Sequence, residues 1–248
     1  MKSLLSSITL ACVVIAGGAF AEDTKAAVKT QKYYAEIYTY AYDEPGVMDK
    51  KSSLPFIGVG VQDFGQAGRS GLIYEVRASY GETDYSSVST GTTEDTPTYV
   101  FSGELSWLKS YNKYSVFAGL GYRYLFDDWG GQTSSTGALA YDRKSQYVYL
   151  PIGMMNYLEN SGYFKAQYNH LLSGNQTSYT GIAGGTHHDQ NHHQDSGHGY
   201  ALEYAPNGKY SMFLRYWDIG DSEVKAYRGG TSLEPYNDTT EFGVKILF

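Results

Sequence analysis

The sequence has almost no cysteine and comparatively little charge. Its single cysteine among 248 residues is Cys12, so a disulfide within the chain is impossible. Charged residues make up 18% of the chain, against roughly 25% in typical soluble domains. No run of 18 apolar residues occurs after the first twenty or so positions, which excludes a bundle of transmembrane helices. The formal net charge of −7 argues against a nucleic-acid partner.

The first 21 residues have the three parts of a secretory signal peptide. Lys2 supplies the positive end, residues 8–18 form the apolar stretch, and residues 19–21 (Ala-Phe-Ala) form a small-x-small cleavage site. We therefore expect residues 1–21 to be removed during export.

Three expectations follow for the exported chain. Cys12 lacks the aliphatic residue three positions earlier that a lipoprotein signal needs, so no lipid anchor is predicted. The mature chain then starts at Glu22, with a short periplasmic segment over residues 22–31 and one domain over residues 32–248.

Alternation with a period of two dominates the rest of the chain. Aromatic residues reach 16%, with 26 tyrosines, and they recur at every second position of short segments in which the other positions are small or polar. This pattern predicts β-strands, each about ten residues long. The segments are residues 32–42, 54–62, 71–80, 98–108, 114–126, 145–157, 163–172, 200–204, 209–217 and 239–248.

The placement of aromatic residues distinguishes two kinds of sheet that share this period. A water-soluble sandwich and a membrane barrel both alternate. In residues 71–80, the aromatic residues near the two ends of the apolar face are Tyr74 and Tyr80. In residues 98–108, they are Tyr99 and Trp107. Aromatic residues sit in this way at the two interfaces of a membrane, and about ten residues suffice for a tilted strand to cross it.

The lengths of the connections alternate as well. Shorter ones cover residues 63–70, 109–113, 159–162 and 205–208, and long polar ones cover residues 43–53, 81–97, 127–144, 173–198 and 219–237. Short periplasmic turns and long outer loops are typical of bacterial membrane barrels, which must close because lipid cannot satisfy an open edge. The sequence predicts an all-β fold, a transmembrane up-and-down antiparallel β-barrel of ten strands, or eight if the weaker segments are loops.

These features resemble a known family, the small outer-membrane β-barrel proteins of Gram-negative bacteria, which include porin-family and opacity-type surface proteins. In that family the barrel-assembly machinery recognises a last strand with alternating apolar residues and a final Phe. The matching residues are Thr240, Phe242, Val244, Ile246 and Phe248. The resemblance implies an outer-membrane location, with lipid and the assembly machinery as partners. It specifies architecture and location rather than activity.

Charged residues within the alternating segments lie at the positions between the apolar ones, so they point to the opposite face of each strand. Buried charges must be paired or hydrated, so a balanced set inside a narrow barrel predicts an ion-pair network. This network is either a polar plug or a narrow, gated ion path, since ten strands leave little room for a diffusion pore. The five acids and five bases are Glu36, Glu75, Glu104, Glu203, Glu241, Arg77, Arg123, Lys165, Arg215 and Lys245.

Five of the six histidines lie in one long connection: His187, His188, His192, His193 and His198. Imidazoles at this density suit Zn, Cu or Ni ions, and His188 and His192 are four residues apart should the loop become helical. Weak metal binding by the first four histidines is one expectation. The alternative is a solvated loop that becomes cationic in acid. No other cofactor is predicted.

Catalytic motifs are not apparent in the sequence. It contains no G-x-S-x-G, no H-E-x-x-H and no P-loop. Neither Asp127 with Asp128 nor His188 with Asp189 reproduces the catalytic spacing of omptin-type barrel proteases. We therefore expect no enzyme. Two functions remain, a structural or surface-interaction protein with acidic outer loops that meet an unidentified ligand, and a narrow channel for ions or small solutes.

Overall fold

The computed structural model of the protein describes residues 30–111, 114–183, 187–227 and 229–248. The predicted signal peptide and residues 22–29 of the predicted periplasmic segment lie outside these ranges. None of the helices found within them is long and apolar enough to span a membrane.

Strands make up most of the described chain. Two short 3-10 helices, Glu159–Ser161 and Thr180–Ala183, interrupt them. The strands are β1 (Lys32–Glu44), β2 (Met48–Ser52), β3 (Phe56–Asp63), β4 (Gly71–Ser87), β5 (Gly91–Tyr111), β6 (Tyr114–Asp127), β7 (Arg143–Tyr157), β8 (Tyr163–Ser178), β9 (Gln190–Gln194), β10 (Gly197–Asn207), β11 (Tyr210–Ile219), β12 (Lys225–Tyr227), β13 (Gly230–Ser232) and β14 (Asn237–Leu247).

The large sheet closes into a barrel of ten antiparallel strands. β2 and β3 together form one of these strands, because both pair with β1 on one side and β4 on the other. Pro55, which has no N–H to give to a ladder, lies in the break between them. β9 and β10 form another interrupted strand, since both pair with β8. Pairing of β14 with β1 completes the circle, so the predicted ten-stranded barrel is confirmed.

The period of two sends apolar side chains outward and polar ones inward. On β14, Phe242, Val244 and Ile246 are exposed on the outer surface, whereas Glu241 and Lys245 are fully buried in the barrel. A strand that separates its side chains in this way needs an apolar medium on one side and a polar interior on the other.

The long connections contain more strand than the sequence suggested. β4 and β5 continue past residue 81 as a two-stranded ribbon, in which Thr83 pairs with Thr96 and the turn ends at Gly91 with a φ of +78°. Backbone pairing of β1 with β2 likewise fills residues 43–53, and pairing of β8 with β9 fills part of residues 173–198. Predicting these stretches as loops was wrong, because their residues are mostly polar on both faces of the strand and show no apolar alternation.

Large aromatic side chains fill the interior on the side of the long connections. Tyr38, Tyr40, Phe56, Tyr149 and Trp217 belong to one buried cluster. Two of these rings lie over glycines of the neighbouring strand. A Cβ on Gly81 would overlap the ring of Phe56, and one on Gly121 would overlap the ring of Tyr149. Smaller apolar clusters, around Met155 and around Leu108, occupy the end with the short connections.

A disulfide across the closing seam tests the closure and the register together. Ile37 lies directly opposite Val244, and both face outward. Directly opposed residues are close enough for a disulfide, whereas diagonal neighbours are about 7–8 Å apart. We expect Ile37→Cys with Val244→Cys to cross-link on oxidation, and Ile37→Cys with Ile246→Cys to cross-link far less. Boiled samples on non-reducing gels report the cross-link by their altered migration. Equal yields from the two pairs would contradict the register.

Candidate functional site

The charged side chains that the sequence assigned to the interior all lie inside the barrel. The most exposed of the ten is Glu104, whose side chain is 17% accessible. They come from eight of the ten barrel strands, and the alternation along each strand turns them inward.

Glu241 on β14 is the centre of this charged group. Its carboxylate accepts hydrogen bonds from Arg77 Nη2 at 2.8 Å, from Arg123 Nη2 at 3.2 Å and from Arg215 Nη1 at 3.1 Å. Arg215 stands directly opposite Glu241 on β11, whereas Arg77 and Arg123 reach it from β4 and β6. Three cations on one fully buried carboxylate make it the most strongly paired acid of the group.

Further ion pairs join all ten residues into one connected network. They are Arg77–Glu36 (3.2 Å), Arg215–Glu36 (3.1 Å), Arg215–Glu75 (3.9 Å), Lys245–Glu75 (2.6 Å), Lys245–Glu203 (2.8 Å), Lys165–Glu75 (3.8 Å) and Lys165–Glu104 (3.6 Å). The network contains five acids and five bases, so it carries no formal charge. Such compensation is what allows charges to remain inside a barrel.

Tyrosine hydroxyls cap the carboxylates at the edge of the network. Tyr34 donates to Glu75 at 2.7 Å and Tyr149 donates to Glu104 at 2.8 Å. A cavity of about 30 Å³ remains among the charged side chains, which is room for about one water molecule. The arrangement is suited to filling space with compensated charge.

A second buried cluster lies where the long connections meet the barrel. Arg143 pairs with Glu44 at 3.0 Å and with Glu234 at 2.8 Å, and its Nη2 also donates to the Tyr42 hydroxyl. Close by, Lys50 pairs with Asp127 at 2.6 Å. Sequence reasoning missed this cluster.

Some of these missed residues carried a usable signal. Extending the alternation of residues 32–42 by one step would have placed Glu44 on the inward face. Glu234 carried no signal of this kind in the sequence. It lies in the irregular stretch before β14, where no periodicity points to a partner.

Glu234 ties the last long connection to the barrel wall. Its backbone N–H donates to Ser222 Oγ and its carbonyl accepts from Ser222 N, so the two ends of residues 222–234 are joined. Burial raises the pKa of Glu234 to about 7; attraction to Arg143 opposes this shift, and the nearby Glu44 adds to it. We call residues 220–227 and 229–236 the strap.

The histidine-rich connection does not have the geometry expected for a metal site. His192 and His193 lie on strand β9 rather than on a helix, so they point to opposite faces: His192 is buried and His193 is exposed. His192 Nε2 is 3.1 Å from Ser232 Oγ, and His187 Nδ1 is 3.2 Å from the Tyr227 hydroxyl, so these rings have other partners. Within the described ranges, His187, His188, His192 and His193 form no group placed to hold a metal ion, and neither do any other three His, Cys, Asp or Glu residues.

The C-terminal residues that carry the family resemblance lie on the closing strand. Thr240, Phe242, Val244 and Ile246 share the outward face of β14. Phe248 follows directly, with a side chain that is 72% exposed. Its backbone exchanges two hydrogen bonds with Tyr33, at 2.9 and 3.0 Å, so the end of the chain is fixed to β1.

Comparison with known proteins gives only structural likenesses. No family model matches the sequence, and no curated protein matches it. An outer membrane channel from Pseudomonas putida F1 is similar at 8% identity and a TM-score of 0.37, over 92% of this chain and 100% of that one. OmpT, an outer membrane protein of Vibrio cholerae, is similar at 8% identity and a TM-score of 0.22, over 88% and 97%. The function must therefore be argued from this chain's own residues.

Removing the central carboxylate should destabilise the barrel more than removing a peripheral one. We expect Glu241→Gln to lower the free energy of unfolding by about 3–5 kcal/mol, because it leaves buried guanidinium groups undercompensated. Glu104→Gln is the matched control, with an expected loss of about 1 kcal/mol, since the amide oxygen can still accept from Tyr149. Denaturant unfolding in detergent measures both.

A double variant separates lost pairing from lost packing. Among the described residues, Glu241 is the one carboxylate paired with Arg123. Adding Arg123→Gln to Glu241→Gln removes the guanidinium left without an ion pair, so the double variant should be more stable than Glu241→Gln alone. Additive losses would show that the ion pairs do not act as a network.

The strap should be held more stably in its folded position at acidic pH than at alkaline pH. The neutral form of Glu234 is favoured in the folded protein, so its contribution is complete below its ordinary pKa of 4.5 and is lost as the pH rises through about 7. We expect the hydrogen-exchange protection factors of the strap amides to fall between pH 5 and pH 8. Glu234→Gln, which can still accept from Arg143, should remove this dependence. Protection that rises with pH in the wild type would contradict the assignment.

Proposed function

We propose that this chain is an integral outer-membrane β-barrel protein whose interior is closed to solutes and whose role is structural or in surface interaction. The observation that carries the closed interior is the connected ten-residue network together with its small residual cavity. A role in catalysis is not part of the proposal.

The outer surface supports the membrane location. Tyr99 and Trp107 lie eight residues apart on the outward face of the barrel part of β5, and both are exposed. Eight residues of strand span about 27 Å, which a tilt of about 40° reduces to about 20 Å. This height is close to that of the apolar band of outer-membrane barrels, about 25 Å. Aliphatic residues such as Leu105 lie between the two aromatic ends.

The closed edge and the loop asymmetry agree with this location. No strand edge of the barrel is left open to lipid in the described chain, because β1 pairs with β14. We place the short connections and both ends of the barrel in the periplasm, and the ribbon of β4 and β5 outside the cell, as in other bacterial barrels. The signal peptide would deliver the chain to the assembly machinery, which would recognise β14 and Phe248.

A narrow channel gated by the same network is the second candidate. The observation in its favour is that the middle of the interior is lined with charged groups, including Arg123, Lys165 and Glu203, rather than with apolar ones. Such a path conducts only if the ion pairs exchange partners on opening.

Planar-bilayer recording discriminates between the two. We expect the refolded wild-type barrel to insert without stable conductance steps, because the proposed ion-pair network would block the passage of solutes. Arg123→Ala with Glu241→Ala should produce small steps by removing two side chains from the centre. Leu105→Ala with Phe242→Ala, on the outer face, is the control and should stay silent. Reproducible wild-type steps that scale with salt would favour the channel instead.

A further inference from the structure

A second cavity lies among the long connections, next to the second charged cluster, whose Glu44 and Arg143 form part of its lining. Its volume is about 190 Å³. Three parts of the chain form its walls: the turn between β1 and β2, the ribbon of β4 and β5, and the irregular connection over residues 128–142. A cavity of about 150 Å³ is known to hold a benzene ring, so this space fits a ligand built on one six-membered ring.

Aromatic rings and hydroxyl groups line this cavity together. Tyr85, Trp129 and Tyr141 supply the rings, and Tyr85 meets Trp129 edge to face with centroids 5.0 Å apart. Hydroxyl groups come from Ser87, Thr90, Thr93 and Ser134. Rings offer flat apolar faces, and each hydroxyl can both donate and accept a hydrogen bond. Ligands that match both features have a face of C–H groups and a rim of hydroxyls.

The charges near the cavity favour a neutral ligand. Arg143 lines the cavity, but it is already paired with the carboxylate of Glu44, and its Nη2 donates to Glu234 and to the Tyr42 hydroxyl, so it is not available to an anion. A cationic ligand is disfavoured as well, because Lys50 Nζ already lies 5.0 Å from the centre of the Trp129 ring. A quaternary ammonium would compete with that lysine for the same ring.

The walls of the cavity are held in place without a ligand. The Tyr85 hydroxyl is hydrogen-bonded to Thr90 Oγ1 at 2.7 Å. Thr136 Oγ1 donates to the Thr90 carbonyl, and Ser135 N donates to the Thr92 carbonyl, so the connection over residues 128–142 is fastened to the ribbon. Binding then costs little ordering of the loops.

One buried donor of the wall is unsatisfied. Trp129 Nε1 has no hydrogen-bond partner within the described ranges, although buried indole N–H groups usually have one. Because Trp129 lines the cavity, this unsatisfied donor belongs to the wall of the cavity, although the N–H itself is covered by neighbouring atoms.

We propose that this cavity binds a single neutral pyranose sugar unit. The proposal rests on the proposed function only in placing the cavity outside the cell, where such a unit would be the end of a surface glycan. Size, the aromatic and hydroxyl lining, and the compensated charges together select a neutral polyhydroxylated ring over phosphate, amino acids and amines.

Binding is tested on the whole barrel in a detergent without a sugar headgroup. Saturation-transfer NMR with the methyl glycosides of glucose, galactose and mannose should give a dissociation constant in the millimolar range for at least one. Tyr85→Ala should weaken binding at least about tenfold, whereas Tyr80→Ala, on the outer face, should leave it unchanged. Ala138→Phe should abolish it by filling the cavity, and Ala78→Phe, also on the outer face, is its control.

Each other outcome counts against the proposal. Absence of binding by all three glycosides, equal binding by Ala138→Phe, or binding of choline or an amino acid in their place would overturn it. The position of the cavity is tested separately: Thr92→Cys on the ribbon should react with an impermeant maleimide on intact cells. If the barrel binds sugar in detergent but Thr92→Cys is not labelled on intact cells, the sugar-binding proposal stands and only the placement of the cavity outside the cell is overturned.

Discussion

The pairing of Glu241 with three arginines is the interaction on which the rest of the interior depends. A carboxylate with 0% accessibility cannot be left without compensation. Arg77 and Arg215, in turn, need a second acid, Glu36, and that requirement extends the chain of pairs to Glu75 and the lysines. The middle of the barrel is therefore one electrostatic unit, neutral only when all of its members are in place.

The aromatic cluster and the charged network divide the interior between them. The rings of Phe56 and Tyr149 are accommodated because Gly81 and Gly121 have no side chain at the positions where these rings lie. The hydroxyl groups of Tyr149, in this cluster, and of Tyr34, near it in the interior, donate to carboxylates of the network, so the boundary between apolar and charged layers is hydrogen-bonded. Burial of a tyrosine at such a boundary satisfies both its ring and its hydroxyl.

The sequence predicted the parts of the molecule that obey a period. Strand number, closure and the ten inward charges follow from one rule, that neighbouring residues of a strand face opposite sides. Features that break the period were not predictable. The polar ribbon of β4 and β5 has no apolar face, and Glu234 meets Arg143 through the folding of an irregular connection. The density of histidines in the sequence does not show which of them lie together, and strand β9 sends His192 and His193 to opposite faces.

The seam between β1 and β14 joins residues at opposite ends of the described chain, and this has a consequence for folding. Glu36 lies on the first strand and Glu241 on the last. Until the final strand has been added, Arg123 therefore lacks its carboxylate, and Arg77 and Arg215 each lack one of theirs. Contacts so distant in sequence form slowly, because a long loop must close first. A partly assembled barrel would expose uncompensated cations to lipid at the open seam. Membrane insertion and neutralisation of the interior should therefore occur as one cooperative event, with strand-by-strand intermediates too costly to accumulate.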